Sequence, residues 1–307
     1  MSYNTIIDSD GIAFKIAVVL DKEYRKILDN DNTITTNIIL EENMLSDEVV
    51  INPFIKLDQT ATHLIESEIR EIHNEVQAEK TILLVGGSNT YRRNIDMNYK
   101  SNRVNKYIAV NRCKRLLQQR WKATWVNDIE TDDAVAITYT HYRNLGENCI
   151  LVHDDKDLLQ VPGMHLKYPT YHRRTFELFE VTEEDALNNL LIQIGKGDNG
   201  DGVSGIQGIG DAKIKDLLLG RSTKGQDGTV YNNIIADMYE TYVRKLYTEY
   251  VSLTDIFKPH IVLEAYITRY GVEQGLYEFA NNTLLLYMLR NNKKKEFKIP
   301  EWVKLKK

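Results

Sequence analysis

The sequence predicts an α/β protein with a central, mostly parallel sheet flanked by helices and a largely helical C-terminal portion. Two observations carry that prediction. Short buried-looking apolar runs alternate with stretches of helical periodicity through about the first 160 residues, the pattern of strand–helix–strand units that pair in parallel. The remainder, Asn232 to Arg290, is tyrosine-rich and helix-compatible. At 307 residues, with 42% apolar and 27% charged content, the chain can bury one large core or two unequal ones.

"NTIID" (Asn4–Asp8) reads as a buried strand that ends on an acid, with an apolar segment after it through Leu20. Thr33–Leu40 is β-branched and expected to be extended. Gln59–Glu79 places Ile65, Ile69, Ile72 and Val76 on one helical face. "TILLVGG" (Thr81–Gly87) is a second strand, and Arg103–Arg120 a basic helix or pair of helices. "ATWVND" (Ala123–Asp128) is a third strand, "TDDAVAITYTHYRN" the helix after it, and "CILVHDD" (Cys149–Asp155) a fourth strand. Glu183–Ile194 is a helix that runs into a glycine-rich stretch.

Composition excludes several classes. No apolar run reaches the roughly 18–20 residues that span a bilayer. The N-terminal segment lacks a basic leader and a small-residue cleavage site, so a cytoplasmic location is expected, whether in a bacterium or in the host cell of a phage. Cys113 and Cys149 are too few and too far apart for a disulfide framework or a zinc site. The net charge of −5 argues against a polyanion partner only if its distribution is ignored. Tyr91–Lys122 holds ten Lys/Arg and one acid, whereas Asp128–Asp157 holds eight acids and two bases. A basic block beside an acidic one fits a polyanion-gripping surface next to a cation pocket.

Acids collect where strands end or glycines cluster: Asp8 with Asp10 nearby, Glu130 with Asp132 and Asp133, Asp155 with Asp157, and Asp198 with Asp201. The carboxyl ends of parallel strands line one crevice, where ligands bind. Each acid taken singly also fits a helix cap or turn. Taken together they favour divalent cations, and an all-oxygen set suits Mg²⁺ or Mn²⁺. Two such ions can activate water and stabilise a leaving oxygen in phosphodiester hydrolysis.

Ile194–Leu218 packs seven glycines and four aspartates ahead of a lysine-bearing helix. Gly205, Gly208 and Gly210 permit positive φ and close approach to a phosphate, with Lys213 and Lys215 just beyond. The alternative is a flexible connection.

These strings resemble the structure-specific 5′ nucleases: flap endonucleases, bacteriophage 5′–3′ exonucleases and the 5′ nuclease domain of bacterial DNA polymerase I. "GDNGDGVSGIQGIGDAK" is similar to that family's helix–three-turn–helix signature, "IIDSDGIAFK" to its first strand and "YRRNIDMNYKSNR" to the entry of its helical arch. "ETDDAVA" and "DDKDLLQ" are similar to its acidic motifs. The likeness covers roughly Asn4–Leu219 and is nearest to the phage-sized members. It implies a PIN-like nuclease core over 1–180 with an arch at about 93–120. A helix–three-turn–helix DNA-binding region at about 190–219 and C-terminal helices would make up 181–307.

The resemblance further implies two Mg²⁺ ions, replaceable by Mn²⁺, on Asp8, Glu130, Asp132, Asp133, Asp155, Asp157 and Asp201, with Asp198 orienting the loop. Lys100 and Arg103 would act on the scissile phosphate, and Tyr99 would stack on a base. Arg92, Gly205, Gly208, Gly210, Lys213 and Lys215 would hold DNA, with a K⁺ ion as an accessory at the hairpin. The implied partner is DNA with a 5′ flap, nick or 5′ single strand, or an RNA–DNA hybrid, bound by a monomer. One departure stands out: the family usually carries an Asp at the end of its second strand, where this chain has Val85 and Gly86. Asp10 or Asp96 is a candidate substitute. The departure keeps open a second reading, a catalytically impaired branched-DNA-binding protein of the same fold. A smaller RNA nuclease of the PIN type would lack the glycine hairpin.

Overall fold

A strand whose successive residues are all apolar must be covered on both sides, and the first strand shows how. The computed structural model of the chain describes residues 3–30, 54–87, 90–102, 107–170, 172–219, 221–231 and 254–290. Strand β1 (Tyr3–Asp8) puts Ile6 into one hydrophobic cluster and Ile7 into another, and both are fully buried. Helices α1 (Ser9–Asn30) and α2 (Ile55–Val76) follow, then β2 (Ala78–Gly86), the single turn α3 (Arg92–Ile95), α4 (Ala109–Trp121), β3 (Thr124–Val126) and α5 (Thr131–Asn144). Strand β4 (Cys149–His153), a 3₁₀ turn (Asp157–Gln160), β5 (Gly163–Lys167) and β6 (Glu177–Val181) complete the sheet. Its order is β3-β2-β1-β4-β5-β6, parallel throughout except for the antiparallel edge strand β6.

The two-residue period of the strands sorts the core. Ile7, Leu83, Val85, Ile150 and Val152 face α1, α2 and α4, whereas Ile6, Leu84, Cys149 and Leu151 face α5. Each of these aliphatic side chains contributes about 1.5–3 kcal/mol by leaving water. Beyond the sheet lie α6 (Glu183–Lys196), the short antiparallel pair β7 (Gly197–Asp198) and β8 (Val203–Ser204), and α7 (Asp211–Leu218). A second short pair, β9 (Thr223–Lys224) and β10 (Val230–Tyr231), precedes α8 (Thr254–Tyr270) and α9 (Val272–Leu286). Leu190, Leu191, Ile194, Ile214, Tyr266 and Phe279 form a further core there, which Tyr99 enters from the first half of the chain.

Several elements differ from the sequence expectation. Helix α2 stops at Val76 because Gln77 turns into the left-handed region (φ 49°), so Glu79 belongs to β2. The basic segment is split: α3 is one turn, α4 starts only at Ala109, and Arg103 lies outside the described residues. Strand β3 is three residues long, and β5 and β6 were not expected from the sequence. The extended stretch expected at Thr33–Leu40 also lies outside the described residues, as does the part of the tyrosine-rich region before Thr254. Among the described residues no helix is long and apolar enough to cross a membrane.

Candidate metal centre

The chain adds β2 and β3 on one side of β1, then returns to place β4 on the other. The connections above β1 and β4 therefore diverge and open a crevice at their carboxyl ends. Asp8 ends β1, and Asp155 follows β4 by two residues. Asp8 accepts the backbone N–H of Asp10 at 3.1 Å, and Asp155 accepts that of Asp157 at 2.9 Å. Among the described residues no Lys or Arg pairs with Asp8, Asp155 or Asp157 at ion-pair distance. Burial and then the charges of Asp10 and Asp155 push Asp8 up to about 8. Burial and Asp155 push Asp157 up to about 6.

The other half of the crevice is organised by cations. Glu130, at the N-cap of α5, pairs with Arg92 at 2.7 Å and with Lys100. Its acidity rises accordingly: burial works against the charged form, but Arg92 and Lys100 outweigh it. Asp133, fully buried, is gripped by both terminal nitrogens of Arg92 at 2.5 and 2.9 Å and also accepts the N–H of Leu289 at 2.9 Å. Among the described residues Asp132 has no such ion pair. Burial, Glu130 and Asp133 hold it well above the usual carboxylate range. Oxygen atoms of Glu130, Asp132 and Asp133 lie within 4.8 Å of one another. With Asp133 committed to Arg92, Glu130 and Asp132 are the better placed donors of the three.

Tyr99 and Lys100 join this half to the glycine loop. The Tyr99 hydroxyl lies 3.0 Å from both Glu130 and Asp201, and its one proton serves either. Lys100 sits at φ 55°, a costly conformation for a residue with a side chain. Its N–H donates to the Asp201 carbonyl at 2.8 Å, and its ammonium lies 3.6 Å from the Asp201 carboxylate. Asp198 accepts from Lys156 at 2.6 Å and from the Gly200 N–H at 2.9 Å, which shapes the loop that carries Asp201.

Three expectations are corrected. The Tyr99 ring is 3% exposed and packs into the C-terminal core, leaving no face for a base. Arg92, 2% exposed, is no DNA contact: it spends its charge on Asp133, Glu130 and the Tyr287 carbonyl at 2.8 Å. Of the three hairpin glycines only Gly208 has positive φ (80°). Gly205 is required for another reason, since a Cβ there would lie 2.1 Å from the Lys196 backbone. Gly210 is extended and opens α7. Lys213 donates to the Gly208 carbonyl at 3.0 Å, and Lys215 pairs with Asp211 at 2.6 Å.

The structure also supplies residues that sequence reasoning missed. Gln193 donates to Asp157 at 2.5 Å and accepts from Gln160 at 2.5 Å, while Gln160 accepts the Met288 N–H at 3.1 Å. The segment after α9 thus touches both halves of the crevice, through Gln160 and through Asp133. Beneath the Asp155 loop, Nε2 of His153 faces Nδ1 of His165 at 2.8 Å. Their outer nitrogens face the carbonyls of Asp155 and Val161, each at 2.7 Å. Burial pushes His153 down to about 3 and His165 to about 4. Two neutral rings bring two protons to these three contacts.

The donor set fits hard divalent cations. It is all oxygen, and its uncompensated acids sit where protonation or a cation must relieve their mutual repulsion.

No family model matches the chain, and no curated protein matches it in sequence. Among solved structures it is similar to a bacteriophage T5 5′-exonuclease mutant, with 15% identity, 94% of this chain and 100% of that chain covered, and a TM-score of 0.46. It is similar also to the T5 5′-exonuclease with bound zinc, with 14% identity, coverage of 94% and 100%, and a TM-score of 0.46. A T5 flap endonuclease in a pseudo-enzyme–product complex with DNA and metal ions gives 14% identity, coverage of 92% and 99%, and a TM-score of 0.45.

Proposed function

We propose that the chain is a divalent-metal-dependent 5′ nuclease that hydrolyses phosphodiester bonds near the 5′ ends of branched or primer-bearing DNA, as a flap endonuclease or 5′–3′ exonuclease. The observation that supports this reading most is the row of uncompensated carboxylates, Asp8, Asp155 and Asp157, at the point where the sheet's connections diverge. In this reading Asp8, Asp155, Asp157, Asp201, Glu130 and Asp132 hold two Mg²⁺ ions, or Mn²⁺ in their place. Such ions, when bound, supply positive charge to a phosphate and lower the pKa of a water.

The chain's own residues do the rest. Lys100 carries an ammonium on the rim of the carboxylate cluster and offers it to charge developing on the phosphate. Tyr99 orients Glu130 and Asp201 through its hydroxyl, and Arg92 fixes Asp133. The glycine loop and α7, with Lys213 and Lys215, hold duplex through backbone and phosphate contacts that do not read sequence, and a K⁺ ion at the loop fits that use. The nuclease core then occupies about 1–180 and the DNA-gripping portion about 181–307.

Cleavage of a flap duplex labelled at its 5′ end, with Mg²⁺, Mn²⁺ or EDTA, tests the reading. Wild type should cut near the junction only with metal. Asp155→Asn should lose about 10²–10³-fold in kcat while still binding DNA, a loss typical of removing one electrostatic catalytic group. Equal activity in that variant would refute the metal assignment. A second reading, branched-DNA binding without efficient cutting, is favoured by one feature: β2 ends on Gly86 and brings no carboxylate to the crevice. Tight binding with no cutting in either metal selects it.

A further inference from the structure

Most strand ends around the crevice lead into acids. β1 ends on Asp8, β4 runs into Asp155 and Asp157, and the turn after β3 leads to Glu130 and Asp132. β2, which lies between β1 and β3, ends on Gly86. The space beside Gly86 is already taken: a Cβ there would lie 2.0 Å from Oγ1 of Thr131. That hydroxyl donates to Oδ2 of Asp10 at 2.8 Å, and the Gly86 N–H donates to Oδ1 of Asp10 at 3.0 Å. Lys114, reaching in from α4, donates to Oδ2 of Asp10 and to the Gly86 carbonyl, both at 2.8 Å.

Asp10 therefore accepts three hydrogen bonds on its two oxygens, one of them from a full positive charge. The Lys114 side chain is only 12% exposed, so solvent screens this pair less than a surface one. A carboxylate so engaged has little left for a metal ion. Resting on the nuclease reading, we propose that Asp10 and Lys114 form a self-contained ion pair that stands in for a metal-binding carboxylate on β2. Lys114 is then a resident cation beside Asp8, and Asp10 is a positioning residue that does not ligate metal.

The consequence is a sign that differs from one variant to the next. Removing Lys114 alone takes a positive charge away from the neighbourhood of Asp8 and leaves Asp10 free, so a divalent ion binds more tightly. Removing both charges deletes a neutral unit and leaves affinity nearly as it was. If Asp10 were a ligand, the double variant would lose affinity.

Mn²⁺ titrations followed by calorimetry and by the resonance signal of the free ion, with no DNA present, read this directly. Lys114→Met is expected to bind Mn²⁺ about tenfold more tightly than wild type, and Asp10→Asn/Lys114→Met to stay within about threefold of wild type. Lys114→Gln makes the same charge change while keeping a donor toward Gly86, and covers the case in which Lys114→Met folds poorly. Unchanged or weaker binding in both single variants overturns the proposal. So does a double variant about tenfold or more weaker than wild type, which would make Asp10 a ligand. Wild type that takes up no Mn²⁺ at all overturns the nuclease reading together with this one, which separates the two failures.

Discussion

The two halves of the acidic crevice solve the same problem in different ways. Around Glu130 and Asp133 the chain supplies its own cations, Arg92 and Lys100, and ion pairs fix both acids in place. Around Asp8, Asp155 and Asp157 no Lys or Arg among the described residues lies at ion-pair distance, and burial with mutual repulsion pushes Asp8 up to about 8 and Asp157 up to about 6. The first half is a finished structural network. The second is an unbalanced charge that a divalent ion would relieve. Proximity of acids alone would not have separated them, because the three residues whose oxygens lie closest include Asp133, the most fully neutralised.

The sharpest way to break this comparison is to remove a resident cation. Arg92→Met strands Asp133, which is fully buried, and should cost about 3–5 kcal/mol in urea unfolding. A cost below about 1 kcal/mol would mean that the pair is not the anchor of its half. Next in size is the response of the other half to metal. Mg²⁺ at about a hundredfold above its dissociation constant should stabilise wild type by about 2.7 kcal/mol. Asp155→Asn should lose most of that gain and start from a higher baseline, since one repelling charge is gone.

The histidine pair under the Asp155 loop gives a pH test. Both folded pKa values lie below the unfolded value of about 6.5, so the unfolded chain binds more protons as pH falls. The pair's contribution is therefore complete above about pH 6.5 and drains away as pH drops toward about 4 for His165 and about 3 for His153. Between pH 7 and pH 5 the loss should be about 2 kcal/mol for each histidine, about 4 for the pair, and it should roughly halve in His165→Phe. A pair that keeps a third proton between its rings would hold that difference near zero. The smallest effect belongs to Lys213, half-buried at the start of α7. Lys213→Ala should weaken duplex binding a few-fold and flatten its salt dependence, and an unchanged slope would show that it touches no phosphate.

What the sequence made legible was whatever depends on local pattern. β1, β2, β4 and α5 follow from apolar runs and helical spacing, and the acids follow because they end those runs. Strand β5 and the edge strand β6 show no clear apolar run, since β5 mixes glycine, histidine and lysine with its apolar residues and β6 is mostly exposed. The end of α2 was hidden because a glutamine, and no glycine, makes the left-handed turn. The resemblance places Tyr99 against a base, whereas hydrophobic residues roughly 90 to 190 positions later in the chain bury it. The placing of Asp10 against Gly86, Thr131 and Lys114 joins four distant segments, and no spacing rule reaches that far.

One contact described above bears on how the molecule is made. Asp133 accepts the backbone N–H of Leu289, 156 residues downstream, and Arg92 donates to the Tyr287 carbonyl, 195 residues downstream. During synthesis on a ribosome the sheet strands emerge well before that segment. A nascent chain halted short of it has the crevice acids but not the backbone that seats Asp133, so this half of the crevice is completed only once residues about 160 to 200 positions downstream have been translated.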